Sequence, residues 1–269
     1  GAIANLVIEL ILVPGMGYGV GASALSTVVT QVAVGAASTV LVVRWARSNG
    51  AGLAPDWAEM SMLLRAGRAL VIRTVSLRGS FTLSTVVAAN IGVADVAAHQ
   101  IALNVWGTLA LALDAVAIAG QALTGKWLGV GDTATARGAA RRMIEVDIGL
   151  GVLAGVVTFA LRAPMAEVFT NDPIVVAAAG LALTHVALQQ PIAGLVFALD
   201  GILIGAGDLD YLARWMVAAA AAFAACAATV WITGLGLGWL WAAIAVLIVV
   251  RAYGLVRRWR EDTWLVTGV

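Results

Sequence analysis

Charged side chains interrupt stretches of this sequence that are otherwise apolar enough to lie in hydrocarbon. Asp114 stands in LALALDAVAIAG (109–120) and Asp200 in FALDGILIG (197–205), while Arg73 and Arg78 stand in VIRTVSLRG (71–79). Hydrocarbon cannot solvate a charge, so an ionisable group at that depth normally faces a protein interior or a wet cavity and marks a functional site. A carboxylate in such a place can take up and release a proton, or meet a cation. A guanidinium can neutralise the carboxylate or bind an anion.

At 1.5 Å per helical residue, Arg78 and Asp114 each lie about ten residues, or roughly 15 Å, from the same end of adjacent helices, which predicts that they pair. Arg73 and Asp200 lie about five residues in, so they either pair or reach the interface separately. For Asp114 two roles stand side by side: a working carboxylate, or a permanently paired charge joining two helices. Pro191 removes a backbone hydrogen bond from the Asp200 helix and predicts a kink there. Gln189, Gln190 and His185 lie on the outer side of that kink as candidate cavity-lining groups, with interhelical hydrogen bonding as their alternative use. Asn104 is a further candidate for the cavity. His99, Gln100 and Trp106 read as packing residues, and Glu9, Glu145 and Asp147 carry no assigned role.

The elements that hold these groups must be membrane helices. Of 269 residues, 62% are hydrophobic and 12% charged, with a mean hydropathy of +0.98, whereas soluble domains are about a quarter charged. Apolar runs of about 20 residues, the length that crosses a bilayer as a helix, recur along the chain. Full spans are expected at 21–43, 69–91, 96–124, 143–163, 174–204, 212–232 and 239–255. The apolar start, 2–13, is too short to span and reads as a helix cut by the beginning of the chain. Pro14 to Gly19 reads as a turn, 48–55 as a linker, and 56–68 as an amphipathic helix on the membrane surface. Arginines and Lys126 crowd alternate loops, which places those loops and the C-terminus in the cytoplasm of a multi-pass inner (plasma) membrane protein.

The net charge of +1 points to no nucleic-acid partner, and one cysteine with two histidines leaves no metal site by spacing. No cluster of nucleophile, base and orienting group suggests an enzyme. The glycine-rich segments 15–19 and 234–238 read as interhelical turns, since neither follows a strand as a phosphate loop would.

Five segments are similar to one transporter family: ILVPGMGYGVGASALSTVVTQ (11–31), AAHQIALN (97–104), LDAVAIAGQALTGKWLGVGD (113–132), VFTNDP (168–173) and LDGILIGAGD (199–208). In order and spacing they resemble the multidrug and toxic compound extrusion (MATE) transporters. Arg73 in VIRT, with the LDA and LDG segments, looks most like the DinF-type branch. The resemblance implies an all-α polytopic membrane protein in which two six-helix lobes form a V around a cavity. It implies no cofactor, coupling to protons or sodium ions, export of small and often cationic organic substrates, contact with membrane lipids, and a monomer when full length. By the same resemblance, 1–47 is the end of the N-terminal lobe (helices 5 and 6) and 48–68 the interlobe linker. Residues 69–257 form the C-terminal lobe (helices 7–12), and 258–269 a tail. Asp200 resembles a tenth-helix aspartate used in sodium sites, but Leu77 stands where the glutamate of such sites falls. Alternatives are a lipid or lipid-linked-sugar flippase of the same superfamily, and a membrane scaffold that transports nothing.

Overall fold

The structure is a computed structural model that describes residues 2–15, 20–50 and 56–267. Positions 16–19 of the expected turn and 51–55 of the expected linker lie outside the described residues. Those described are helical, without strands: α1 (Ala2–Leu10), a π-helical turn (Ile11–Gly15), α2 (Val20–Ser48), α3 (Trp57–Ile91), α4 (Val93–Gly129), α5 (Thr133–Glu167), α6 (Pro173–Gly205), α7 (Leu209–Thr233) and α8 (Leu237–Arg260). Seven helices among the described residues are long and apolar enough to cross a membrane. A helix is the form an apolar segment takes there because it satisfies every backbone polar group internally.

The chain divides into two compact units, 1–61 and 62–269. In the first, polar pairs join α1 to α2: the Ser23 hydroxyl donates to Glu9 Oε1 at 2.6 Å, and Ser26 donates to Asn5 Oδ1 at 3.2 Å. Most of α2 is exposed, including Val32, Leu41 and Val42.

Two helices depart from their expected bounds. The segment 56–68 is not a separate surface helix; it forms the opening turns of a continuous α3. Gly67 is the only weak helix former at that junction, and one glycine costs a helix only about 1 kcal/mol. Helix α5 begins at Thr133, ten residues before the expected span. Asp132 caps it by accepting from the Thr135 amide at 2.9 Å and from the Thr135 hydroxyl at 2.6 Å. These bonds, the hydroxyl's foremost, hold the Asp132 carboxyl below its ordinary pKa. The arginine run then continues the helix, with Arg141 and Arg142 donating to Glu145 at 3.2 and 3.1 Å.

Helices α4, α5 and α6 pack backbone against backbone. Gly151 and Gly155 of α5 face α6, and Gly201 and Gly205 of α6 face α4. Both pairs are small residues four apart, the spacing that lets membrane helices approach closely. Around this core, one apolar cluster includes Phe223, Leu240 and Trp241. The other, toward the arginine-rich ends of the helices, includes Leu128, Leu199, Leu212 and Trp264. Trp264 is buried and stacks on Trp259 at 5.0 Å, while Arg137 pairs with Asp262. The segment after α8 is thereby fastened to α5.

The start of α6 provides a local test. Asp172 caps it by accepting from the Ile174 amide at 2.9 Å, with Pro173 in the first turn. Asp172→Ala is expected to cost about 1 kcal/mol, measured by thermal unfolding in detergent; an unchanged midpoint would show the cap to be idle.

Candidate functional site

The charges that the sequence placed in apolar runs divide into one tight cluster and two exposed side chains. Asp200 of α6 is the centre of the cluster. Its Oδ2 accepts from Arg73 Nη2 of α3 at 2.5 Å, and from Arg251 Nη2 of α8. Arg251 and Asp200 are each 5% exposed, and the Arg73 side chain keeps 19% of its surface. Three helices therefore converge on one carboxylate. Two guanidiniums share it, so the cluster carries a net charge of plus one. Of the two arrangements left open for Arg73 and Asp200, the pair is the one formed. Arg251 was not singled out from sequence, although it interrupts an apolar run (LIVVRAYG, 247–254) as plainly as Asp114 does.

The expected Arg78–Asp114 pair does not form: neither residue has an ion pair among the described residues, and both are exposed. Arg78 lies beside Trp106 and Gly107 of α4, seven to eight residues before Asp114, so the two charges are about 10–12 Å apart along the helix and are not level. Arg78 lines a groove of about 280 Å³ with Phe81, Thr82, Leu103 and Trp106. Trp106 packs between Phe81 at 4.7 Å and Phe197 at 6.5 Å, as its packing assignment required. Asn104 is exposed on α4 and accepts from Gln100 at 3.3 Å.

The polar groups near Pro191 face different neighbours. Gln189 is buried and donates through Nε2 to the Trp241 carbonyl of α8 at 3.2 Å. Gln190 is buried against α5, and its Oε1 has no partner. Half-buried His185 turns its Nδ1 to the Leu181 carbonyl at 3.0 Å. It lines an outer groove with Asp95, Gly236 and Trp239 instead of joining the glutamines. Helix α6 continues through Pro191 without interruption. Because proline has no N–H, it cannot bond the Ala187 carbonyl one turn back. That carbonyl lies at a close approach of α5: a β-carbon on Gly155 would sit 2.6 Å from it. His99, assigned to packing, is buried, with its Nε2 at 3.0 Å from the Ser84 hydroxyl and its ring at 5.4 Å from Trp241.

Asp147 was assigned no role, yet it is 0% exposed and neither of its carboxyl oxygens has a hydrogen-bond partner among the described residues. It sits on α5 opposite Gly194 of α6, where a β-carbon on Gly194 would lie 2.8 Å from the Asp147 carbonyl carbon. Its burial was hidden because the span was expected to open at Met143, whereas α5 opens at Thr133 and carries Asp147 fourteen residues, or about 21 Å, into the helix.

Comparison with known proteins places this helical bundle. The family model described as MatE matches residues 70–229, more than half of the chain. The chain belongs to the MatE family. It therefore belongs to a family of transporters, not of enzymes. Among curated MatE relatives, Protein DETOXIFICATION 44, chloroplastic, of Arabidopsis thaliana is 30% identical over 220 residues, covering 81% of this chain and 41% of that protein. The chain thus spans well under half of the length of that relative. A crystal structure of MATE in complex with MaL6 superposes with a TM-score of 0.83 at 16% identity, over 97% of this chain and 60% of that one. A transporter of the MOP superfamily from Pyrococcus furiosus, titled for the reverse polarity of its binding pocket, matches with a TM-score of 0.68 at 19% identity, over 77% and 47%. The MatE region takes in Arg73, Asp114, Asp147 and Asp200; Arg251 lies beyond its last matched residue.

Proposed function

We propose that this chain is the C-terminal lobe, with the end of the N-terminal lobe, of a DinF-type MATE exporter that moves small organic cations out of the cell in exchange for protons or sodium ions. The observation that carries the reading is the buried Arg73–Asp200–Arg251 cluster. A carboxylate shared by arginines from two other helices is a switch of a simple kind. A proton or cation that claims Asp200 weakens its hold on α3 and α8, and their release biases the lobes toward the other arrangement. This is alternating access driven by differential affinity for two states. The partly exposed Arg73 is the side of the cluster open to exchange, whereas Arg251 is fully enclosed. The arginine-rich loops face the cytoplasm on this reading.

The test is transport in everted vesicles of the full-length protein, with a fluorescent cation under a proton gradient and then a sodium gradient. Asp200→Asn, which keeps the side-chain shape, is expected to lower gradient-driven transport by at least about tenfold, the effect of roughly 1.4 kcal/mol. Undiminished transport in a folded variant would reduce Asp200 to a structural pair.

The net positive charge of the cluster favours a second reading, a flippase for an anionic headgroup. Arg251 adds to Arg73 and Arg78 the basic residues that such a substrate needs. Movement of labelled anionic lipid, with no cation transport under either gradient, would select it.

A further inference from the structure

The mechanism above leaves Asp147 unused, although it is the described carboxylate enclosed with neither an ion pair nor a hydrogen bond. On α5, the nearest charged residues, Arg141, Arg142 and Glu145, pair with one another at the surface. On α6, the ionisable side chains are His185 and Asp200. His185 lies nine residues from Gly194, about 13 Å along the axis, in the outer groove. Asp200 is held by its two arginines. At about 100° per residue it also leaves α6 on a different face from Gly194, whereas Gln190, Gly194 and Gly201 share one face. On α4, Asp95 and His99 lie fifteen or more residues before Asp114 and Lys126 twelve after it, so the ionisable group nearest this level is Asp114.

Close contacts put Asp114 and Asp147 at similar levels. A β-carbon on Gly120 would lie 3.5 Å from Met143 Cγ. Asp114 stands six residues outward from Gly120, and Asp147 four residues outward from Met143 on the antiparallel helix. The two therefore stand within about two residues' rise of each other along the bundle axis, and Asp114 is exposed.

No positive group is therefore placed to neutralise Asp147, and the charged group nearest its level is another carboxylate. An isolated carboxylate away from water, without counter-charge or hydrogen bond, is so costly that such a site suits a carboxyl that keeps its proton. We propose that Asp147 is a proton-binding site where α4, α5 and α6 meet, loaded in this conformation and exchanging its proton with the surface through Asp114. The site rests on the transport reading only for its use: a proton held here would be a coupling ion, carried by a carboxyl separate from the Arg73–Asp200–Arg251 cluster.

Infrared spectroscopy of the protein in lipid nanodiscs at neutral pH tests the site directly. The wild type should show the C=O stretch of a protonated carboxyl, and Asp147→Asn should lose it. Asp114→Asn should keep the band but slow its isotope shift in D2O severalfold. Should Asp147→Asn fail to fold, Asp147→Glu retains a carboxyl and should move the band. No such band in the wild type, or a band unchanged by either substitution at Asp147, overturns the proposal. Isotope exchange untouched by Asp114→Asn overturns the route. The readout needs no transport, so a band assigned to Asp147 in a protein that moves no cation would defeat the transport reading and leave the proton site standing. Cation transport without the band would do the reverse.

Discussion

Asp200→Ala is expected to cost about 3–5 kcal/mol of folding stability, because it leaves guanidiniums in the core without their counter-charge. Arg251 suffers most, being almost fully enclosed, whereas the partly exposed Arg73 can turn toward water. The effect comes from stranding a charge and not from the worth of the pair itself. Replacing Asp200 and Arg251 together by Leu and Met should therefore recover much of the loss, since apolar residues of similar volume often substitute for a buried ion pair at little cost. Arg73→Leu alone should be milder, as Asp200 keeps Arg251. Denaturant titrations of the variants in detergent micelles decide the matter. A value for Asp200→Ala within about 0.5 kcal/mol of wild type, the range of an ordinary surface change, would mean that the cluster is not the clamp described.

The second large effect is expected at Gly201. A β-carbon there would lie 2.7 Å from the carbonyl carbon of Ala117, so the obstacle is the backbone of α4, which cannot rotate aside as a side chain can. Overpacking a core by a few methylenes costs about 1–3 kcal/mol. Gly201→Leu should exceed that range, because α4 and α6 must part along their whole contact. Gly149→Leu is the control: a β-carbon at Gly149 meets nothing within 4 Å, and the substitution should stay within about 0.5 kcal/mol. Equal stability of the two variants would show that the close approach of α4 and α6 is not what holds these helices together.

The membrane class, the all-helical fold and the number of full spans were legible in the sequence because each depends on local composition over about 20 residues. Asp200 and Asp114 were conspicuous for the same reason, as charges inside apolar runs, but that signal did not separate the buried one from the exposed one. Errors arose where helix ends or rotations mattered. Helix α5 extends ten residues earlier than hydropathy alone suggested, because the Asp132 cap and the arginine–glutamate pairs sustain a helix through polar sequence. That extension is what carries Asp147 from an apparent helix start into the core.

Depth and direction divide what each level of description could decide. Linear sequence, at 1.5 Å per residue, set Arg73 level with Asp200, and those two pair; it also set Arg78 level with Asp114, wrongly, because α3 opens at Trp57 and Arg78 lies beside Trp106 and Gly107 instead. It left undecided the rotation of each helix about its own axis, which depends on which faces interlock. The tertiary structure decided that. Contacts through Gly151, Gly194, Gly201 and Gly205 turn one face of α6 toward α4 and α5, which points Asp200 at Arg73 and Arg251 and encloses Asp147, while Arg78 and Asp114 are left exposed and unpaired.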